Sequence, residues 1–467
     1  MRKVKRRTST GPDIDSEIFK AYDIRGTVPD QIRPEIATLI GRAFAHEIAG
    51  KKIAVGRDVR THSEELTDAL CAGLLEGGCH VIDVGLVSTD ALYFAVGHLG
   101  CDGGVMVTAS HNPPEYNGFK MCRAEAEPLS GNEGIKRIQE MVELADFDPP
   151  VAGGTRESHP IIEDFTNHVL SFVNGSETKP FKVVVDAGNG MAGITVRPVF
   201  DRLPCELIPM YFDPDGTFPN HPPDPLNPKN LEDLIARVKE ENADFGVAFD
   251  GDADRLFLVD ETGQPVSGDI VTLLVAKSLL AKNPGATILY NIICSRAVPE
   301  AINAAGGRAV RTPVGHALIK PIMKREDAVF GGEHSGHFYF KHNWNADSGL
   351  IAMVVAMETI SEAGCPLSEL VASVDPYVRS GEINTRVASI PRTLQRIEKA
   401  FDKEVIDHSD GLTIAFDEWW FNVRPSNTEP LLRLNIEANS AEVLEEKTAD
   451  LLRLIRGKRR ASAAKAK

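Results

Sequence analysis

Three stretches of the chain share one alternation of apolar and polar positions. They are KKIAVGRDVRTHSEELTDALCAGLLEGGCHVIDVG (51–85), FKVVVDAGNGMAGITVRPVFDRLPCELIPM (181–210) and ATILYNIICSRAVPEAINAAGGRAVRTPVG (286–315). Each opens on a short β-branched apolar run, which predicts a buried strand. A polar loop, an Ala/Leu-rich helical segment and a second apolar run follow, completing a strand–helix–strand unit. Helical residues come next in each case (ALYFAVGHL, LEDLIARVKEEN, ALIKPIMKRE), and then a strand, a polar loop and another strand. Those last segments are GVMVTASHNPPEYNGFKM (104–121), FGVAFDGDADRLFLVD (245–260) and AVFGGEHSGHFYF (328–340). One structural slot thus carries three chemistries, and the equivalent loops are expected to meet in one cleft.

After about residue 373 the rhythm changes. PYVRSGEINTRVAS reads as a strand, 391–402 as a helix, GLTIAF and WWFNVRPSNTEPLLRLNIEA as strands, and SAEVLEEKTADLLRLIR as a helix. This predicts a small α+β domain. The expected fold is therefore three related α/β domains with mixed sheets plus a C-terminal α+β domain, arranged around a central cleft. The expected boundaries are 1–156, 157–258, 259–373 and 374–467.

Length agrees, since 467 residues exceed one core. The formal charge of −16 disfavours a phosphate-backbone binding role, so no nucleic-acid partner is expected. It also means that any site for a phosphorylated ligand must be locally basic. The seven cysteines are scattered, with no CxxC pair, which predicts neither a zinc site nor a disulfide framework and suits a reducing cytosol. No apolar run is long enough to span a bilayer, and the basic start Met1–Arg7 leads into a polar segment unlike a secretory signal. The expected location is cytoplasmic, without a membrane partner. The tail KRRASAAKAK reads as a disordered end.

In TASHNPPEYNGFK, a serine oxygen needs a base or cation to become a nucleophile, and His111 and Lys120 flank Ser110 as candidates. There is no GxSxG elbow, which disfavours acyl transfer. In DGDADR, Asp250, Asp252 and Asp254 alternate before Arg255. Three acids at one site repel unless a hard cation joins them. An EF-hand is disfavoured because its sixth position is Arg255 and the flanks read as strands. GGEHSGH offers Glu333, His334, Ser335 and His337, donors and acceptors suited to vicinal hydroxyls; the helix-borne HExxH zinc arrangement is missing. RPSNTEP offers Arg424, Ser426, Asn427 and Thr428, one guanidinium with hydroxyls, an amide and backbone N–H groups, suited to a phosphate nest. Gly188, Gly190 and Gly193 match GxGxxG, but Glu206 falls before the second apolar run ends, so a dinucleotide site is not expected.

TASHNP, DGDADR, GEHSGH and RPSNTEP, in that order and after the opening KAYDIRG (20–26), resemble the α-D-phosphohexomutase superfamily from about residue 17 to 455. Within it the chain looks most like the bacterial phosphomannomutase/phosphoglucomutase group. Glucosamine mutases resemble FGTDGIRG and GEQSGH instead, and this chain has neither.

The resemblance implies that Ser110 carries a phosphoryl group. It implies that Asp250, Asp252 and Asp254 bind Mg2+ together with the phosphate on Ser110, and that Arg255 helps hold the phosphoryl group. Glu333 and Ser335 would grip sugar hydroxyls. Arg424, Ser426, Asn427 and Thr428 would hold the non-reacting phosphate, with Tyr22, Arg25 and His316 also contacting substrate. His111, Lys120 and His337 are the proton-transfer candidates. In one place the chain departs from the dual-specificity members, which resemble a lysine where Ile293 precedes Cys294, Ser295 and Arg296.

The expected reaction interconverts hexose 6-phosphate and hexose 1-phosphate, for mannose and also glucose, through a hexose 1,6-bisphosphate that doubles as activator. A monomer or homodimer acting on phosphosugars is expected. The alternatives are a phosphoglucosamine mutase, a metal-dependent sugar phosphatase, or a non-enzymatic calcium- or sugar-binding module.

Overall fold

The first apolar run of each repeat becomes the centre of a sheet. In the computed structural model these central strands are Lys52–Arg57, Lys182–Asp186 and Thr287–Asn291. Each pairs in parallel with the second run of its repeat (His80–Leu86, Glu206–Met210, Arg308–Thr312) on one side. On the other side each pairs in parallel with a third strand (Gly103–Val107, Phe245–Phe249, Phe330–Gly332). A fourth strand (Tyr116–Arg123, Leu256–Asp260, Phe338–Phe340) returns antiparallel beside the third. The same four-strand order therefore occurs three times, in mixed sheets. Helices cross between the parallel strands, so the strands are covered on both faces and read as continuous apolar runs; Phe245–Phe249 is buried throughout. Short strands extend the sheets: Ile24–Thr27 and Thr155–Ser158 on the first, Pro265–Val266 on the second and Ala346–Asp347 on the third.

The described residues are 13–457, apart from 49, 130, 132–133, 176–177, 402 and 427–430; the side chains of 316, 317, 405 and 406 are also outside them. The basic start and the tail from 458 onward thus lie outside the described residues, as do Asn427 and Thr428.

One apolar core runs through all three repeats, from Ala54 and Phe94 through Phe165 and Phe249 to Leu274, Phe330 and Met357. The helices Gly268–Lys282 and Gly349–Ala363 are buried on nearly every face within it. The fourth unit is different. Its strands run in the order Val378–Arg386, Leu431–Ala438, Trp419–Pro425, Leu412–Ala415, Val405–Asp407, all antiparallel. Helices Ile390–Ala400 and Ala441–Ile455 accompany this sheet over a separate core that includes Ile397, Ile414, Phe421, Leu434 and Leu451. All seven cysteines are free thiols, five of them buried. Among the described residues no single helix is long and apolar enough to cross a membrane.

Candidate active site

In every repeat the polar loop joins the third and fourth strands, at the carboxyl end of the parallel strands, where open α/β sheets place their ligands. The three loops touch directly. The carbonyl of Ser110 lies against Gly251, where a Cβ would sit 2.5 Å from it, so only glycine lets the first two loops close. Arg255 and His337 form an antiparallel backbone bridge, and the Leu256 N–H donates to the Gly336 carbonyl at 3.0 Å. Thr89, at the start of helix Thr89–His98, donates its N–H to the Asp252 carbonyl at 2.9 Å and its hydroxyl to Asp252 Oδ2 at 2.6 Å.

These contacts also explain the GxGxxG motif. A Cβ on Gly190 would lie 2.5 Å from the Gly251 carbonyl, and one on Gly193 would lie 2.2 Å from that of Phe212. The glycines let residues 186–193 pack beneath the acidic loop.

Ser110 is buried, with φ of 51°. Its hydroxyl donates to Asp250 Oδ2 at 2.8 Å, and His111 Nδ1 lies 3.2 Å from Ser110 Oγ. Burial, then the cations Arg255 and Arg25, push the His111 imidazole well below its ordinary range, so it is neutral.

Asp250, Asp252 and Asp254 are buried and offer oxygens within 4.8 Å of one another. Lys120, on the fourth strand of the first sheet, donates to Asp252 Oδ2 and Asp254 Oδ2, each at 2.6 Å. Burial opposes the Lys120 charge, but Asp252, Asp254 and Asp250 outweigh it and hold the ammonium protonated. Lys120 answers only part of the acids' charge. Burial, followed by the neighbouring acids, pushes Asp254 up to about 6 and Asp250 well above its usual range. Asp252 Oδ1 and Asp254 Oδ1 are buried and accept no hydrogen bond from any described residue. A trio of hard oxygen donors with two buried oxygens left over fits a small divalent cation.

Arg255 Nε stands 3.5 Å from Asp250 Oδ2 and donates to His337 Nε2 at 3.2 Å. A guanidinium only donates, so Nε2 accepts and the ring proton is on Nδ1, which faces Ser335 Oγ at 3.0 Å. Glu333 is buried; Oε1 accepts the Gly315 N–H at 3.0 Å and Oε2 the Tyr339 hydroxyl at 2.8 Å. Burial raises its pKa, the Gly315 and Tyr339 hydrogen bonds opposing.

Arg25 donates to Asn112 Oδ1 and Asp23. The Tyr22 hydroxyl closes over Gly315, 3.2 Å from where a Cβ would be. Burial, then Asp410 and Glu333, raise the Tyr22 phenol, which places it between the sugar-loop side and the fourth unit. His316 begins helix His316–Glu326; its side chain lies outside the described residues. Arg424 is buried within its own sheet, donating to Glu382 at 2.8 Å, Asn435 at 3.0 Å and Asn422 at 3.3 Å. The Ser426 N–H donates to the Leu431 carbonyl at 2.9 Å.

The structure thus brings Ser110, His111, Lys120, the three aspartates, Arg255, Glu333, Ser335 and His337 together, with Tyr22 and Arg25 at the rim. Sequence reasoning missed Asp58, Arg60 and Thr108, which grip the Ser110 loop from below, and Asp347, whose carboxylate joins Asp254 and His337 and pairs with buried Lys320 at 3.0 Å. The available signal was positional: Asp58 and Arg60 directly follow a central parallel strand, at the end where such sheets bind ligands.

Comparison with known proteins agrees with this layout. Four family descriptions match in succession: phosphoglucomutase/phosphomannomutase alpha/beta/alpha domain I at residues 16–148, domain II at 162–263, domain III at 267–377, and the C-terminal domain at 382–454. A phosphomannomutase of Salmonella montevideo is 42% identical over 449 residues, covering 94% of this chain and 98% of the relative. A phosphomannomutase/phosphoglucomutase of Pseudomonas aeruginosa is 40% identical over 447 residues, covering 94% and 95%. The crystal structure of a phosphoglucomutase/phosphomannomutase family protein from Burkholderia thailandensis superposes with a TM-score of 0.88 at 35% identity, covering 96% of this chain and 99% of that one.

Proposed function

The chain belongs to the phosphoglucomutase/phosphomannomutase family, and from that membership and the cleft geometry we propose that it interconverts hexose 6-phosphate and hexose 1-phosphate through phosphorylated Ser110. Mannose is the main sugar and glucose is also accepted. The observation that carries this reading is Ser110 Oγ, buried 2.8 Å from Asp250 where three hairpin loops converge on an acidic trio.

Asp250, Asp252 and Asp254, with the phosphate on Ser110, would hold Mg2+. When bound, that ion supplies charge neutralisation for the phosphoryl oxygens. Arg255, fixed between Asp250 and His337, adds a second cation on the same oxygens. In the first half-reaction a sugar hydroxyl oxygen forms a bond to phosphorus as the Ser110 Oγ–phosphorus bond breaks. The hydroxyl proton passes to a base: neutral His111, 3.2 Å from Ser110 Oγ, can accept it, whereas Lys120 could do so only once the aspartates that hold it protonated turn to the metal. The product is a hexose 1,6-bisphosphate. It turns over in the cleft and returns its other phosphate to Ser110, the proton moving back to the sugar oxygen. The bisphosphate also acts as activator by rephosphorylating Ser110.

Glu333 and Ser335 grip the sugar hydroxyls in both orientations. Arg424, Ser426, Asn427 and Thr428 take the non-reacting phosphate, and Tyr22, Arg25 and His316 also contact substrate. The four units expected at 1–156, 157–258, 259–373 and 374–467 keep their number, but the first two edges fall later, because strand Thr155–Ser158 pairs into the first sheet and strands Leu256–Asp260 and Pro265–Val266 into the second. The protein works in the cytoplasm as a monomer or homodimer, with phosphosugars as its partners.

A coupled assay compares mannose, glucose and glucosamine 1-phosphates with Mg2+ and hexose 1,6-bisphosphate present, and follows inorganic phosphate in parallel. Mannose 1-phosphate should turn over fastest, glucose 1-phosphate measurably, and inorganic phosphate should not accumulate. Fastest turnover of the glucosamine substrate, or phosphate release matching isomerisation, overturns the reading.

A further inference from the structure

The Ser110 turn is unusual in what holds its backbone. Its left-handed φ of 51° is a conformation that non-glycine residues seldom adopt without support. The support comes from one buried side chain. Arg60 Nη2 donates to the carbonyls of Ser110 at 2.8 Å and Asn112 at 2.5 Å. Its Nη1 donates to the carbonyls of Pro113 at 2.6 Å and Tyr116 at 2.9 Å. Its Nε faces Asp58 Oδ2 at 3.2 Å, and the Arg60 side chain is 0% exposed. A guanidinium has five N–H donors in one plane, and here the four on Nη1 and Nη2 meet four backbone carbonyls while Nε only pairs with the Asp58 charge.

The same network holds the other side of the residue. The Ser110 N–H donates to Thr108 Oγ1 at 2.9 Å, and Thr108 Oγ1 donates to Asp58 Oδ2 at 2.6 Å. Asp58 Oδ1 accepts the Arg60 N–H at 3.0 Å and the hydroxyl of Ser63. The ring of Phe218, from the second unit, covers the guanidinium at 5.1 Å. Both backbone polar groups of Ser110 are therefore fixed by Asp58, Thr108 and Arg60, each no more than 2% exposed.

We propose that Arg60, with Asp58 and Thr108, is a positioning residue that aims the Ser110 hydroxyl for phosphoryl transfer. This rests on the reading of Ser110 as phosphoryl carrier. None of the three is among the residues read as contacting substrate, so the effect is expected on the reacting geometry and not on binding.

The test uses two full-length variants. Arg60→Lys keeps a cation against Asp58 but cannot span four carbonyls from a single nitrogen. Thr108→Val removes the acceptor for the Ser110 N–H and leaves the guanidinium in place. Each should lower kcat with KM unchanged, Arg60→Lys by about 100-fold, the scale of a 1 Å misplacement at a reacting centre. Amide hydrogen exchange should accelerate at residues 108–117 and stay unchanged in the other units. If Arg60→Lys fails to fold, Thr108→Val decides: wild-type kcat overturns the proposal. So does a rise in KM that accounts for the loss, or faster exchange throughout the protein. Mass mapping separates the two layers. Absence of phosphate from wild-type Ser110 after incubation with hexose 1,6-bisphosphate overturns the carrier reading and this proposal with it. Phosphate present on Ser110, discharged to hexose 6-phosphate at the wild-type rate by both variants, overturns the positioning role alone.

Discussion

Between the first three units the junctions are buried and largely apolar. Phe94 packs against Phe165 and Trp344, one ring from each unit, with centroids 5.6 and 6.0 Å apart. The fourth unit meets the third through charges. The Arg296 N–H donates to Glu437 Oε1 at 3.0 Å, Arg379 Nη1 lies 3.4 Å from Asp269 Oδ2 and 3.7 Å from Glu437 Oε2, and the Tyr377 hydroxyl donates to Glu300 at 2.8 Å. A shared close-packed core has no low-cost intermediate arrangement, whereas a polar junction can exchange its partners for water. The first three units are thus suited to hold a metal and a nucleophile in fixed register. The fourth is suited to close on a phosphate and release it.

The sharpest break between the two regions is at Ser110. Ser110→Ala should lower kcat on the order of 10⁶-fold, the scale for removing a nucleophile, while bisphosphate still binds. A variant that keeps wild-type turnover in the coupled assay would move the chemistry away from the rigid centre.

Metal removal comes next. Chelation should abolish turnover, and Mg2+ should restore it better than the larger Ca2+. A proton competes with the cation at Asp254, lifted to about 6, so Mg2+ affinity measured by calorimetry should fall as pH drops through about 6. Stability of the metal-free protein runs the other way. A raised carboxyl favours the folded state below its ordinary value of 3.8, and that contribution is lost as pH climbs toward about 6. Neither effect should be altered by substitutions in the fourth unit.

Arg424→Ala tests the clamp. Charged hydrogen bonds of ~1.5–3 kcal/mol correspond to a rise in KM of roughly 10- to 150-fold, with bound metal and phosphoserine retained. Because Arg424 also answers Glu382 and Asp410, melting of the fourth unit should shift as well. Glu382→Gln separates the two effects by relaxing that ion pair with the guanidinium in place.

The smallest effect belongs to the junction. Glu437→Gln weakens the hold on Arg296 and Arg379, and a change of ~0.5–1.5 kcal/mol would alter KM about 2- to 10-fold with kcat unchanged. Small-angle scattering should show compaction on adding bisphosphate, and the variant should shift that balance. A particle equally compact with and without ligand would erase the distinction between centre and clamp.

Much of this was legible in the sequence. The β-branched runs at 52–57, 182–186 and 287–291 repeat at recognisable intervals, and the three hairpin loops fall in one slot after them. The change to a different, α+β unit after about residue 373 was equally visible, although its antiparallel strand order was not. What the sequence could not show was contact across units. Lys120 reads as a lysine on a strand, but in the fold it bridges Asp252 and Asp254 from another sheet. Arg60 reads as a charge in a loop, and its four carbonyl partners lie 50 to 56 residues away along the chain. Arg424 reads as a phosphate ligand, yet its burial among Glu382, Asn422 and Asn435 depends on strand register, which residue periodicity does not fix. The GxGxxG glycines carry a close-approach signal that sequence alone cannot distinguish from nucleotide binding; here Gly190 fits under Gly251 and Gly193 against Phe212.

The backbone bridge between Arg255 and His337 has a consequence for how the protein can diversify. Because the acidic loop and the Glu333 loop share hydrogen bonds, inserting or deleting one residue in either would shift the register of both. New sugar preferences should therefore arise by replacing side chains at fixed loop length. Length variation should accumulate instead in surface segments, such as 146–154, which lead from helix Ile135–Leu144 to the edge strand Thr155–Ser158 of the first sheet.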